Sequence, residues 1–317
     1  MKLYRRLAST LDQASDQTPH QRATAQPFTI QLAIGFTSLV LITLTIFVVS
    51  RFVLTNDSST ALALIEQTLS DKMFWSAVAV GFLAQAIDGA LGMAYGVTST
   101  TFLLSAGASP AMASASVHIA EIFTTGVSGV SHAKLGNVNK KLFLRLLVPG
   151  MIGAVLGAVL VTQIDGKAMK PFISAYLLIM GIYILSKAWR KIKPRTGEPK
   201  HVGKLALFGG FVDSAGGGGW GPVVTTSLVG SGNDPRTTIG SVNFAEFFLA
   251  LAGAASFTLM IGTGVWLLVL GLVIGGLFAA PFAAMVTRSL KTRTLLILVG
   301  TLISIVSIFN LYKALLT

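Results

Sequence analysis

The sequence of 317 residues contains no cysteine and little charge. The absence of cysteine excludes disulfides, thiol chemistry and thiolate metal sites. Charged residues make up 11% of the chain and hydrophobic residues 53%, whereas a soluble domain carries about 25% charged residues. The charges are missing from whole segments of about 20 residues, which is the length that crosses a bilayer. The composition therefore predicts an all-α polytopic membrane protein.

The basic residues that give the chain its net charge of +12 are concentrated in short loops. Loops 132–141, 187–204 and 287–294 are basic, and the positive-inside rule places such loops in the cytoplasm. This distribution indicates membrane orientation and gives no reason to expect nucleic-acid binding. It predicts a cytoplasmic N-terminus and an extracytoplasmic C-terminus.

One stretch of the sequence occurs twice. Residues 88–123 align without gaps with residues 213–248, and fourteen of the 36 positions are identical. Roughly two or three matches would be expected by chance, so the chain contains an internal duplication. Both copies contain short apolar segments on either side of a glycine-rich interruption. In transporters, such interruptions at matching positions of two halves indicate the binding site.

The duplication and the loop charges together predict the organisation of the chain. Loop 132–141 is basic, whereas its counterpart 258–264 carries no charge, so we expect the second repeat to cross the membrane in the opposite direction. Each repeat then needs three spans and one broken helix or re-entrant hairpin. The predicted segments are a polar cytoplasmic tail (1–27), an additional transmembrane helix (28–54), the first repeat (73–190), a basic cytoplasmic linker (191–204) and the inverted second repeat (205–317).

Four acidic residues lie in apolar surroundings, namely Asp88, Asp213, Glu121 and Glu246. An ionised carboxylate at the bilayer centre costs about 2.5–3.5 kcal/mol, so these groups must be paired, protonated or hydrated. The two aspartates could instead cap the short helices that follow them. The glutamates lie within a helix, where capping does not apply. Because burial favours a neutral carboxyl group, we predict that Glu121 and Glu246 are proton-coupling residues.

The residues around these carboxylates predict a substrate site. Glycines let the backbone approach a ligand, and helix N-termini at about 97 and 222 favour an anion. His118, three residues before Glu121, occupies the position of Asn243 in the other repeat, and both can donate hydrogen bonds. The spacing lacks a zinc-protease pattern, so we predict no metal and no cofactor. The predicted substrate-binding residues are Asp88, Gly89, Gly92, Tyr95, Gly96, Ser99, Thr100, Thr101, His118, Asp213, Gly217, Trp220, Gly221, Thr225, Thr226 and Asn243.

The two motifs resemble those of a known family. They read GFLAQAIDGALGMAYGVTSTTFLLSAGASPAMASASVHIAE and GGFVDSAGGGGWGPVVTTSLVGSGNDPRTTIGSVNFAE. Both look like the motifs of the TauE/SafE family of sulfite and organosulfonate exporters, and the resemblance covers about residues 73–316. It implies transport of a small sulfur-containing or carboxylate anion across the bacterial inner membrane.

The resulting hypothesis is a secondary anion transporter that works by alternating access, with protons as a candidate coupling ion. The alternatives are a passive anion channel and a cation-coupled carrier. An intramembrane enzyme is disfavoured because the sequence offers no catalytic cluster. The expected partners are a small anion, the lipid bilayer and protons.

Overall fold

The computed structural model describes residues 27–53, 66–91, 93–189, 199–262, 266–289 and 292–316, and these form helices with no strand among them. Residues 1–26, 92 and 190–198, which include Gly92 and most of the predicted tail and linker, lie outside the described part. Helix α1 spans Phe28–Val53. The first repeat contains α2 (Lys72–Leu91), α3 (Tyr95–Ser105), α4 (Pro110–Lys134), α5 (Lys140–Gln163) and α6 (Gly166–Lys187). The second contains α7 (Val202–Gly216), a π-helical turn (Gly221–Thr225), α8 (Thr226–Gly230), α9 (Pro235–Ile261), α10 (Trp266–Ser289) and α11 (Thr292–Leu316).

Several of these helices can cross a bilayer. Within the described segments, five helices are long and apolar enough to do so: α1, α5, α6, α9 and α11. Helix α4 has 25 residues and is therefore about 37 Å long at 1.5 Å per residue, but its Ser, Thr, His and Glu side chains make it less apolar. The prediction of an all-α polytopic membrane protein is confirmed. Helix α3 has only 11 residues, so its length of about 16 Å covers half of a membrane.

The helices of the two repeats begin at corresponding residues. Helices α4 and α9 begin at Pro110 and Pro235, which are 125 residues apart. Each is preceded by a capping residue, since Ser109 Oγ accepts a bond from the Met112 N–H at 3.3 Å and Asp234 Oδ2 accepts one from the Thr237 N–H at 2.9 Å. A capping side chain followed by proline is a strong helix start, because it satisfies a free N–H and presets φ.

The equivalent helices α4 and α9 pack against each other in opposite directions. Gly126 faces Phe247, whereas Gly129, further along α4, faces Phe244. Just after the end of α4, the Asn139 N–H donates to Ser241 Oγ at 2.8 Å, near the start of α9. Contacts therefore move backwards along α9 as the chain advances along α4, so the two helices are antiparallel.

The other close helix pairs also combine one helix from each repeat. Gly153 of α5 faces Leu207 and Phe211 of α7, and Gly157, one turn later, faces Phe211 and Ala215. Contacts advance together along both helices, so α5 and α7 are parallel. The same arrangement relates α10 to α2, where Gly271 and Gly275 lie against the α2 backbone. Glycine at these positions permits the backbones to approach closely, as in other membrane helix pairs.

Helix α2 is longer than the fifteen-residue apolar run 73–87 that marked it in the sequence. It has 20 residues, and Asp88 lies inside its last turn. Asp213 likewise lies inside the last turn of α7. The chain breaks after these turns, with Ala94 at φ 90° in the first repeat and Gly217 at φ 70° in the second. Each break therefore follows its aspartate by a few residues.

Candidate functional site

The glycine-rich breaks of the two repeats meet in the interior. A side chain at Gly96 would lie 2.8 Å from Gly218 Cα, so only the absence of a Cβ allows the two backbones to touch. The Thr100 hydroxyl donates to the Gly217 carbonyl across this contact. The Tyr176 hydroxyl donates to the Gly218 carbonyl at 2.7 Å. The ends of both half-length helices are thus held together near the middle of the bundle.

Both aspartates bind the start of the helix that follows their break. Asp213 Oδ1 accepts hydrogen bonds from the Gly219 N–H at 2.7 Å and the Trp220 N–H at 2.8 Å. Asp88 accepts a bond from the Tyr95 N–H, at the equivalent position. These bonds satisfy free N–H groups, which is the capping role considered from the sequence. Each aspartate has a second carboxylate oxygen that can accept a hydrogen bond from another partner.

A polar cavity of about 150 Å³ lies between α2, α4 and α9. It brings together five predicted residues from both repeats: Asp88, Tyr95, Glu121, Asn243 and Glu246. The cavity is also lined by residues that were not predicted: Gln85, Thr124, Thr125, Ser128, His132 and Ile239. Among the residues described, no Lys or Arg side chain lines it. The buried side-chain oxygens Gln85 Oε1, Asn243 Oδ1 and Glu121 Oε2 have no hydrogen-bond partner among the residues that the structure describes.

A row of polar residues on α4 connects the buried glutamate with the end of the helix. Glu121, Thr125, Ser128 and His132 follow one another at intervals of three or four residues, so they share one face. All four line the cavity. Their spacing was visible in the sequence and was the signal that could have identified them.

The equivalent face of α9 is apolar beyond its glutamate. The positions 125 residues later hold Ala250, Gly253 and Phe257. Gly253 packs against the His118 ring, and the Phe257 ring meets His118 edge-on with centroids 5.6 Å apart. The two repeats therefore differ, because one glutamate is followed by a polar face and the other by an apolar, packed one.

His118 and Asp213 form a sealed pair beside the cavity. The two side chains are 0% and 2% exposed, and His118 Nε2 lies 3.3 Å from Asp213 Oδ2. His118 Nδ1 lies 2.9 Å from the Ser114 carbonyl oxygen, and Nε2 lies 2.9 Å from Ser214 Oγ. Glu121 lies next to this pair. One ring nitrogen of His118 and one carboxylate oxygen each of Glu121 and Asp213 lie within 4.8 Å of one another.

The remaining predicted residues lie in packed surroundings. Trp220 is fully buried and its Nε1 donates to the Val242 carbonyl at 3.1 Å. The Thr101 hydroxyl donates to the Val97 carbonyl at 2.6 Å, and the Thr226 hydroxyl donates to the Tyr183 hydroxyl at 3.0 Å. The other described members that are buried without lining the cavity are Gly96, Ser99, Thr100, Gly217, Gly221 and Thr225. The surroundings of Gly89 lie outside what the structure describes, and binding by all of these residues stays a prediction.

Broken helices that meet beside a polar cavity, within a bundle of apolar helices, define a polytopic membrane transporter. The family described as Sulfite exporter TauE/SafE matches residues 77–310. The chain belongs to this family, as its two motifs suggested.

Two relatives carry transporter names. The chain is 45% identical over 238 residues to "Probable membrane transporter protein YtnM" of Bacillus subtilis (strain 168), covering 72% of this chain and 79% of the relative. It is 28% identical over 127 residues to "Probable membrane transporter protein ORF9" of Sinorhizobium sp, covering 40% of this chain and 46% of that relative. No solved structure matches the chain.

Proposed function

We propose that the protein is a secondary transporter of a small anion, with sulfite and organosulfonates as the first candidates, and that it works by alternating access. The observation that carries this proposal is the cavity built from both repeats, in a family named for sulfite export. Its amide and hydroxyl groups, such as Gln85, Asn243 and Thr124, can donate hydrogen bonds to an oxyanion.

The size of the cavity supports a small substrate. A dry cavity of about 150 Å³ holds a ligand such as benzene, which has six non-hydrogen atoms. The cavity of this protein has about that volume, so it matches sulfite or a short organosulfonate and excludes large organic anions. Larger ligands usually occupy about 300 Å³ or more.

The charge of the cavity supports proton coupling. Asp88, Glu121 and Glu246 all line it, and no Lys or Arg among the residues described does so. Three ionised carboxylates would repel an anion that enters the cavity, whereas protonated carboxyl groups can donate hydrogen bonds to it. Anion binding and proton binding would therefore favour each other. The same carboxyl groups favour a cation-coupled carrier as the second candidate.

A carrier fits the site better than a passive channel. The cavity extends along the polar face of α4, whereas the opposite direction is filled by the His118–Asp213 pair and Phe257. A channel needs a continuous pathway through the membrane, and a carrier needs a site that is open to one side at a time.

Reconstituted protein tests the proposed function. We expect proteoliposomes that contain unlabelled sulfite to take up labelled sulfite by counterflow, with saturation, and taurine and acetate to compete according to their affinity. Imposed pH and Na⁺ gradients would separate proton coupling from sodium coupling. Uptake that rises linearly with sulfite concentration, without counterflow, would indicate a channel. The absence of uptake of every sulfur anion and carboxylate would refute the proposal.

We also propose that the two repeats cross the membrane in opposite directions. The loop charges and the antiparallel packing of the equivalent helices α4 and α9 support this topology. Single cysteines can report it, because the native chain has none. Lys134→Cys and Leu259→Cys occupy equivalent positions near the ends of α4 and α9, and Leu259 is 88% exposed.

We expect a membrane-impermeant maleimide to label Lys134→Cys only from the cytoplasmic side and Leu259→Cys only from the outside. Right-side-out and inverted vesicles provide the two measurements, and the cysteine-free parent is the control. Labelling of both positions from one side would exclude the inverted topology.

A further inference from the structure

The buried pair formed by His118 and Asp213 is not explained by anion binding in the cavity. The pair does not line the cavity, yet it contains a histidine, which is the side chain whose charge changes most readily near neutral pH. The equivalent of His118 in the second repeat is Asn243, which cannot be charged. The pair therefore joins His118 of the first repeat to Asp213 of the second, and the equivalent residues Asn243 and Asp88 cannot form a second such pair.

The hydrogen bonds of His118 fix which nitrogen is free to bind a proton. A carbonyl oxygen can only accept, so the Ser114 carbonyl, 2.9 Å away, requires the proton on Nδ1. In a neutral ring, Nε2 would then be an acceptor facing Asp213 Oδ2 at 3.3 Å. The Ser214 hydroxyl can donate to Nε2. Asp213 Oδ2 then has no hydrogen-bond donor among the described residues. If Nε2 also carries a proton, it can donate to Asp213 Oδ2, and this oxygen then has a partner.

The hydrogen bonds of Asp213 are ones that a carboxylate accepts. Its Oδ1 accepts two backbone N–H bonds, from Gly219 and Trp220, and such bonds stabilise a carboxylate. A buried carboxylate requires a compensating charge, and the imidazolium of His118, whose Nε2 lies 3.3 Å from Asp213 Oδ2, can supply one. The titratable groups around the pair are Glu121 on α4, Tyr176 on α6, Asp88 on α2 and Glu246 on α9.

We propose that His118 and Asp213 form an imidazolium–carboxylate pair that holds the coupling proton of the transporter in a site separate from the anion cavity, a proposal that rests on the proposed function. Glu121 connects the two sites, because it lines the cavity and reaches the pair. A proton from the cavity first binds a carboxylate oxygen of Glu121. Its transfer to His118 Nε2 ionises Glu121 again and converts the neutral ring to imidazolium, so one proton moves and no other bond changes.

The protonation state of His118 can be measured without any substrate. The chain contains four histidines, His20, His118, His132 and His201. The ¹⁵N-histidine NMR spectrum of the purified full-length protein in lipid nanodiscs, dialysed against a chelator, reports the charge of each ring, and His118→Asn identifies the signal of His118. We expect the His118 signal of the wild-type protein to be that of an imidazolium ring at about pH 8.

Asp213→Asn is the decisive variant, because its amide oxygen can still accept the Gly219 and Trp220 N–H bonds while its amide nitrogen faces Nε2. We expect this change to convert His118 to the neutral ring at about pH 8. Asp88→Asn is the matched control in the other repeat and should leave the His118 signal charged. A wild-type His118 that is neutral at this pH overturns the proposal by itself, even if Asp213→Asn fails to fold, and so does a charge that Asp213→Asn does not remove.

A transport assay tests whether the His118–Asp213 pair is needed for proton coupling. We expect Asp213→Asn to lower the ratio of accumulation driven by a pH gradient to anion exchange about tenfold, since a proton-transfer group is lost. Asp88→Asn should lower this ratio less than Asp213→Asn does, because Asp88 is not part of the pair. An unchanged ratio in Asp213→Asn would show that the pair is structural. Failure of the proposed function would instead appear as a charged His118 in a protein that transports no anion.

Discussion

Replacement of Gly217 by alanine is expected to reduce anion transport about a hundredfold, because a misplacement of about 1 Å at a site can cost this much. Gly217 has φ 70°, and an added Cβ would collide with the Thr100 side chain, which itself donates to the Gly217 carbonyl. The substitution pushes apart the ends of the two broken helices. Counterflow of labelled sulfite in proteoliposomes measures the loss.

Gly262→Ala is the matched control for this variant. Gly262 has φ 73°, almost the same as that of Gly217, but an added Cβ would meet nothing within 4 Å. Alanine at Gly217, where ψ is 33°, bears the cost of a left-handed residue, about 1–2 kcal/mol. Alanine at Gly262, where ψ is −159°, enters a region almost restricted to glycine and bears about 1–3 kcal/mol. The control therefore carries at least comparable backbone strain, and only Gly217→Ala disturbs the contact between the repeats. Equal transport by the two variants, at equal amounts of folded protein, would show that the meeting point of the breaks has no role in transport.

Glu121→Gln is expected to uncouple anion movement from protons. Glutamine copies the shape of the protonated side chain but cannot exchange a proton between the cavity and the His118–Asp213 pair. We therefore expect the ratio of accumulation driven by a pH gradient to anion exchange to fall about tenfold or more, as for loss of a proton-transfer group. Transport at several pH values, with and without an imposed gradient, measures this ratio.

Glu246→Gln provides the comparison within the same cavity. Glu246 lines the cavity but has Asn243, not a histidine, three residues before it on α9. We expect a smaller change in the ratio for Glu246→Gln than for Glu121→Gln. The exposed Glu66→Gln serves as the control for loss of a carboxylate elsewhere. If both cavity variants keep the wild-type pH dependence, the glutamates are structural and the coupling proposal is wrong.

The sequence predicted the helical class and the position of the two breaks, because hydropathy and the internal repeat report these directly. It underestimated the length of α2, because the polar Asp88 ends the apolar run at residue 87, whereas the helix continues to Leu91. Hydropathy measures the preference of a side chain for lipid. It does not detect a buried carboxylate that remains helical because its oxygen binds the next helix.

The division of the predicted residues between cavity and core required the structure. The repeat alignment treats His118 and Asn243 as equivalents, yet Asn243 lines the cavity and His118 is sealed against Asp213 and Phe257. The difference arises from distant residues, such as Phe257, that fill one side of the bundle. The polar face from Thr125 to His132 is recognisable by its helical spacing, but it lies beyond the duplicated motif, which ends at residue 123, so the repeat alignment does not predict it.

The pairing of helices between the repeats has a consequence for how the chain is made. Helix α2 packs against α10, α5 against α7, and α6 against α11, so helices near the start of the chain complete their contacts only with helices near its end. The glycine faces of α5 must remain in contact with lipid during synthesis until α7 has entered the membrane, and α2 must wait longer for Gly271 and Gly275 of α10. We therefore expect neither half to form a stable bundle by itself. Two separately expressed halves would therefore need to be produced together to yield assembled protein.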